Sequence, residues 1–330
     1  MDIELKPGTY VVAASGGVDS MVLLHLLMQK YVNRKQETGT SELQGRKLKV
    51  ESTLELDNFE TFDSMNRYRF IVAHFDHGIR EDSHLDRRLV QEAALRYGIP
   101  FVYDRAQLGS DASEQTARQA RYDFLRRVQK VSQARAVITA HHQDDWLETA
   151  IYNLMRGTNR KGLTSLASSE FLERPLLDTP KKQLIDYAKQ HNIAWREDST
   201  NEDTRFARNN IRHNVLPKLG PAGKARLLTI LKDMRSINQQ IDEQVEDLLR
   251  QILLPSGLKR GDFIMLPHVI AREVAAAWLR QNNIRDFGQP FLERMVRAVK
   301  VLPAGKVFDV NARWQIKLTH NKATFIPRSH

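Results

Sequence analysis

The chain has 330 residues, enough for about two domains and a substantial core, and it contains no cysteine, which excludes disulfides, zinc thiolates, iron–sulfur clusters and persulfide chemistry. Its 50 Lys and Arg against 40 Asp and Glu leave a net charge of +10, an excess that suits a polyanion such as RNA and equally a plain solubilising surface. The longest apolar runs are far too short to span a membrane, and Met1–Gly8 has neither the basic nor the apolar region of a signal peptide, so a cytoplasmic chain is expected.

In chain order, Tyr10 to Ala14 is β-branched and apolar and predicts a buried strand. It breaks at Ser15-Gly16-Gly17, and an apolar helix begins at Asp19. Strand, glycine turn and helix in that order aim backbone N–H groups and a helix N-terminus at one point, a geometry that binds phosphate. Ser15 and Ser20 would add hydroxyl donors. A bare carboxylate repels phosphate, so Asp19 is read as a helix cap, a magnesium ligand or both. Asn33 to Arg69 is polar and irregular, a surface insertion at about 34–69 in which Leu48, Val50, Leu54 and Leu56 alternate as in a strand or hairpin.

Phe70 to Phe75 predicts the second strand, ending in His74-Phe75-Asp76-His77-Gly78. Three candidate ligands on an extended backbone point to opposite faces, so this run is poor as a metal site and better suited to lining a nucleoside. A helix over 82–97, a short strand over 101–103, a helix over 113–130 with Ser113 as cap, and a strand over 134–140 follow. The 113–130 helix places Arg118 and Arg121 on one face, for surface ion pairs or as a clamp on phosphate or carboxylate. After the fourth strand come His141-His142, then a helix over 143–156 with Asp145 and Glu148 sharing a face at i,i+3. Carboxylates are at home in a first helical turn; facing a phosphate site they would hold magnesium or a substrate amine. A further helix starts at Thr179-Pro180.

Alternating strands and helices predict a parallel sheet covered on both sides, in which ligands bind beyond the carboxyl ends of the strands. Three polar clusters follow three of the predicted strands, and that convergence marks an active site. Downstream, Arg205, Arg208 and Arg212 recur at helical spacing with Asn209 nearby, a basic stripe that suits an RNA backbone. Pro217 to Gly223 predicts a linker. The expected domains are therefore 1–217 and 218–330. The second starts with a long helix over 224–254, whose apolar stripe (Leu227, Leu231, Met234, Ile237, Ile241, Val245, Leu248, Ile252) suits packing in its own domain or a coiled-coil seam and homodimer. A strand near 263–266, helices near 270–280 and 290–300, and strands near 307–310, 315–318 and 323–326 complete a smaller, largely helical α+β domain.

SGGVDS matches neither GxxxxGK[ST] nor GxGxxG. It resembles the SGGxDS signature of the PP-loop ATP pyrophosphatases, which cleave ATP between its α and β phosphates and transfer AMP. With HFDHGIRE, ARQARYDFL, TAHHQDDWLET, MRGTNRKGLTSL, RPLL and EDSTNED…RNNIRHNVLP, the resemblance over 8–217 narrows to the tRNA(Ile)-lysidine synthetase family. It implies a PP-loop (adenine nucleotide α-hydrolase-like) first domain, ATP as co-substrate, Mg2+, L-lysine, and a tRNA(Ile) with anticodon CAU. In that family ATP adenylates C2 of the wobble cytidine and the lysine ε-amine displaces AMP. Carried onto this chain, Ser15, Gly16, Gly17, Val18, Asp19 and Ser20 would hold the pyrophosphate portion of ATP, and Ala14, His74, Phe75 and Asp76 would line the nucleoside. Asp145 and Glu148, with His141 adjacent, would serve magnesium or the amine; Asp19 and Asp145 are the tentative magnesium ligands. Arg118 or Arg121, and one of Arg205, Arg208 and Arg212, would neutralise phosphate or carboxylate. The long 34–69 insertion departs from the family pattern, and many members carry a further C-terminal domain. The alternatives are a tRNA 2-thiolase, which would want cysteines, an amidotransferase, which would want an ammonia source, and an inactive tRNA-binding homologue, against which the intact motifs argue.

Overall fold

Short apolar runs that alternate with amphipathic segments build a layered α/β unit, because each strand must be covered on both faces. The computed structural model describes residues 1–32, 67–78, 82–106, 114–158, 160–169, 171–197, 207–284 and 287–328. They form two compact units, Met1–Leu231 and Lys232–His330. In the first unit the order is β1 (Gly8–Ala13), α1 (Val18–Tyr31), β2 (Tyr68–Asp76), α2 (Ser83–Arg96), β3 (Phe101–Arg105), α3 (Glu114–Val131), β4 (Ala136–Ile138), α4 (Gln143–Met155), α5 (Arg160–Leu163), β5 (Leu172–Glu173), α6 (Lys181–Gln190) and α7 (Ala207–Asn210). A π-helical turn (Ile211–Val215) and a 3-10 turn (Leu216–Leu219) lead into α8 (Gly220–Ile252).

The strands pair in parallel in the order β3-β2-β1-β4-β5. Successive side chains of the central strand serve opposite faces, as a two-residue period requires. Val12 joins Val72, Ile138, Leu23, Leu24, Leu27 and Leu184 on one side, while Val11 joins Ile71, Val137, Phe124 and Leu125 on the other. The chain leaves β1 on one side for β2 and β3, then crosses back to lay β4 on the other. The connections after β1 and β4 therefore diverge and open a crevice between them. A third cluster packs Trp146 and Leu147 of α4 against Ile211, Leu216 and Leu231, which fixes the turn after α7 beside the start of α4.

The second unit adds β6 (Leu253–Leu254), β7 (Gly257–Lys259), α9 (Arg260–Met265), α10 (His268–Gln281), α11 (Gln289–Val301), β8 (Val307–Asp309), β9 (Trp314–Leu318) and β10 (Lys322–Pro327). Its antiparallel sheet runs β6-β7-β10-β9-β8 around a core that includes Phe263, Trp278, Met295 and Ile316. The buried Arg260 guanidinium donates to the carbonyls of Val299, at 2.8 Å, Thr319, at 3.0 Å, and Leu302, so it fastens the end of α11 to the turn after β9.

The structure departs from the sequence expectations in particular places. Residues 263–265, expected as a strand, lie in α9, and the pairing strand is β7 just before it; a short apolar run does not distinguish the two states, and burial of Phe263 satisfies either. Pro217 to Gly223 is helical rather than a linker, since proline is accommodated in a first turn. The apolar stripe of α8 is divided: Leu231 packs in the first unit, Val245 and Ile252 pack in the second, and Ile237 is exposed. The expected surface strand within 34–69, the Ser113 cap and Arg205 lie outside the described residues.

Candidate active site

The crevice is lined by the turn after β1, the end of β2, the start of α4, α6 and the π-turn, and encloses about 800 Å³. Ala14, Ser15, Gly17, Val18, Asp19, Ser20, His74, Phe75, Asp76, Arg121, His141, Asp145, Glu148 and Arg212 all line it. Gly16 stands just behind the lining, and Arg118, Arg208 and Asn209 are not part of the wall.

The loop's shape follows from Ser20 and Gly16. The Ser20 hydroxyl accepts from the N–H groups of Ser15 and Gly16, each at 3.2 Å, and donates to the Gly17 carbonyl at 2.9 Å. Ser20 thus closes the loop from within, where it had been expected to offer its proton to a phosphate. Gly16 has φ +95°, and a Cβ there would meet the Asp86 Cβ at 3.2 Å, so both conformation and space call for glycine. The Arg196 N–H donates to the Gly16 carbonyl at 3.0 Å, and its guanidinium bonds Asp86 at 2.8 Å and Asp82 at 2.6 Å.

Asp19 makes no cap bond, which corrects one of its two expected roles. Both its oxygens accept from Lys181 at 2.6 Å, and Oδ2 lies 3.6 Å from His142 Nε2. Burial pushes the Asp19 carboxyl up, but the hydrogen bond and charge of His142 and the charge of Lys181 outweigh it and hold the group below its ordinary value.

Helix α4 starts with a capping box in the neutral form of the ring: His142 Nδ1 accepts from the Asp145 N–H at 3.4 Å, and Asp145 Oδ2 accepts from the His142 N–H at 3.0 Å; protonation of the ring gives up the first bond and keeps the second. That leaves His142 Nε2 facing both Asp19 and Asp145, the latter at 3.4 Å. Burial would lower the His142 pKa, but the bond to Asp19 and the charges of Asp145 and Asp19 prevail and raise it. The two carboxylates meet at one imidazole, and a pair of hard oxygens beside a phosphate loop is a donor set that fits Mg2+.

Glu148 is engaged differently. Arg212 grips it with two bonds, Nε to Oε1 at 2.6 Å and Nη2 to Oε2 at 2.9 Å, and approaches Asp145 at 3.7 Å. Arg212 was expected on an RNA-facing stripe; it reaches into the cavity wall instead, while Arg208 and Asn209 are half-buried on α7. Around β2, His74 is buried with its Nδ1 2.9 Å from the Ala14 carbonyl, and Asp76 accepts from the Gly78 N–H at 2.8 Å and Ser83 Oγ at 3.0 Å. His141 lies 2.8 Å from Thr139 Oγ1, and its pKa falls well below the ordinary value through burial and the charges of Arg174, Arg121 and Arg118. His141 is therefore a neutral imidazole.

Lys181, Arg196 and Arg174 were not anticipated. Lys181 carries a signal in hindsight, since a lysine at the first position of a helix opposes the dipole and implies a nearby anion. For Arg196 and Arg174 no local pattern in the sequence announces the contact.

Compared with known proteins, residues 3–219 match the model of the PP-loop domain. A protein of Lactiplantibacillus plantarum named tRNA(Ile)-lysidine synthase is 30% identical over 93% of this chain and 64% of its own length. One of the same name from Thermotoga maritima is 30% identical over 75% of this chain and 55% of its own. The chain thus spans about three-fifths of the length of these relatives. Among solved structures, the U34-tRNA thiolase NcsA of Methanococcus maripaludis, with its [4Fe-4S] cluster, superposes with a TM-score of 0.50 at 17% identity, covering 72% of this chain and 74% of that one. That likeness concerns the fold, and this chain has no cysteine to hold a cluster.

Proposed function

This chain belongs to the PP-loop family, and on that premise we propose that it is a tRNA(Ile)-lysidine synthase. It uses ATP and Mg2+ to join L-lysine to C2 of the wobble cytidine in a CAU-anticodon tRNA(Ile), with release of pyrophosphate and AMP. The observation that carries the reading is the convergence of the phosphate-type loop, Asp19 and Asp145 at the switch point of the sheet. The names of the relatives supply the substrate.

In this reading the backbone of Ser15–Gly17, the start of α1 and Lys181 take the triphosphate, and Ala14 with the end of β2 lines the nucleoside. Asp19 and Asp145 would hold Mg2+ during the first step, where it would neutralise charge on the phosphates. The cytidine O2 attacks the α-phosphorus and pyrophosphate leaves. The lysine ε-amine, having lost a proton, then attacks C2 and AMP leaves. Removing one partner of a buried ion pair costs about 3–5 kcal/mol, so Arg212 stays with Glu148 and orders the wall. Asp145, held less closely by Arg212 and exposed to the cavity, receives the amine and its proton. Arg208 and Asn209 are assigned to the RNA.

The test is ATP-dependent incorporation of labelled lysine into a CAU-anticodon tRNA(Ile) transcript, with tRNA(Met) as control. Incorporation into the first alone is expected. Asp145→Asn keeps the cap acceptor but removes the base, and should lower turnover by about a hundredfold or more. No incorporation by the unaltered protein, with ATP consumed on another acceptor, would return the assignment to the family level.

A further inference from the structure

We propose that Lys181 competes with the divalent cation for Asp19, so that the cation takes its place only when nucleotide phosphate has drawn the ammonium away. The inference rests on the reading of the cavity as a site for ATP and Mg2+, and it concerns the order in which these charges meet. Lys181 is the first residue of α6, after Pro180, and no side chain caps that end. A cation there opposes the helix dipole, so α6 itself gives no reason for it. The reason lies across the crevice. Lys181 Nζ is 2.6 Å from both Asp19 oxygens, which puts it on the open edge of the carboxylate. Mg2+ binds a carboxylate oxygen at about 2.0–2.1 Å and keeps several waters around itself. An ammonium that spans both oxygens fills the space those waters need, and two cations so close repel each other.

The neighbouring carboxylates are engaged as well, but by groups that are fixed in place. Asp145 Oδ2 accepts from the His142 N–H at 3.0 Å and lies 3.4 Å from its Nε2, and His142 is buried in the first turn of α4. Arg212 grips both oxygens of the buried Glu148, and withdrawing it would take the bound cation from a carboxylate shielded from water. Lys181 differs on each count. Its stem is flexible and ends in a single rotatable ammonium. It and Asp19 are 32% and 26% exposed, and both line the cavity. An incoming phosphate gains from it, because Ser20 Oγ already takes the N–H groups of Ser15 and Gly16 and Lys181 stands beside that loop at Asp19. Once the ammonium moves to the phosphate, Asp19 faces the cavity and accepts the metal. Such coupling is reciprocal: the factor by which nucleotide tightens metal binding is the factor by which metal tightens nucleotide binding. Lys181 thereby makes the cavity take metal and nucleotide together and disfavours the metal alone.

The test uses Mn2+ as the metal probe, read by electron paramagnetic resonance, and α,β-methylene-ATP, which cannot be cleaved between its α and β phosphates. The unaltered protein is compared with Lys181→Met, which keeps the stem without the charge, and with Lys181→Arg, which keeps the charge. The unaltered protein should bind Mn2+ about tenfold or more tightly with the analogue than without it, after correction for chelation by the analogue alone. Without nucleotide, Lys181→Met should bind Mn2+ about tenfold more tightly than the unaltered protein, and it should lose most of the gain from the analogue. Lys181→Arg should stay as weak as the unaltered protein in the absence of nucleotide. Equal Mn2+ affinities of the unaltered protein and Lys181→Met without nucleotide would overturn the inference. Tight binding by Lys181→Arg would do the same, since charge would then not be what excludes the metal. So would Mn2+ held by the unaltered protein as tightly without the analogue as with it, a result that needs no variant. Failure of the unaltered protein to bind the analogue at all defeats the ATP reading, and the comparison without nucleotide still decides whether Lys181 shuts out the metal.

Discussion

Asp145 does two jobs at once, closing the first turn of α4 and facing the cavity, and His142 links it to Asp19. The two carboxylates are conspicuous in the sequence because each follows a strand end, but the sequence favours His141 over His142 and does not show their division of labour. Spacing alone puts Asp145 and Glu148 on one helix face as equals, whereas Arg212, 64 residues away from Glu148, takes both Glu148 oxygens and leaves Asp145 to the cavity. His142 gives a pH signature. Its folded pKa is raised above 6.5, so its pairing with the carboxylates stabilises the protein fully below pH 6.5 and is lost as pH rises through the elevated value. His142→Asn retains a cap acceptor without the charge. Between pH 5 and 8 the Tm difference between the unaltered protein and this variant should therefore be largest at the acidic end and shrink with rising pH. A difference that grows with pH would mean that the ring is not held as a cation by Asp19 and Asp145.

Among elements, the parallel sheet was readable because apolar β-branched runs and glycine turns are local signals. Strand order was not, since nothing in β4 says that it pairs with β1 rather than extending beyond β3. The two-residue β5 is too short to leave a pattern, and α9 was misread because four apolar residues fit either period. The joint between the loop after β1 and α2 is made by Arg196, which lies beyond α6. Loss of its side chain would take one cation from the buried Asp86 carboxylate directly behind Gly16, and the balance there would shift against any phosphate in front. Arg196→Ala should accordingly raise the KM for ATP about tenfold or more, and adding Asp86→Asn should recover much of the loss. Independent, additive effects of the two substitutions would show that the pair does not act through charge.

For the molecule as a whole, the positive charge agrees with the proposed RNA partner but does not say where it would bind. In the crevice Lys181, Arg196 and Arg212 each answer a carboxylate of the chain, so these pairs contribute nothing to the +10 excess. RNA affinity should then depend on cations outside the crevice. Binding of the tRNA transcript should fall linearly in log K against log salt, and Arg208→Ala should reduce the slope by about one. An unchanged slope would remove Arg208 from the RNA side.

The Asp19–Lys181 bond spans 162 residues, and the Gly16 carbonyl is held by Arg196. In synthesis the phosphate loop leaves the ribosome well before the cation that neutralises it and the clamp that braces it. Until then the nascent loop presents a bare carboxylate to any nucleotide, and contacts so distant along the chain form late in folding. Nucleotide capture is in this way deferred until most of the first unit exists, and a chain truncated before Lys181 has the signature motif without the means to use it.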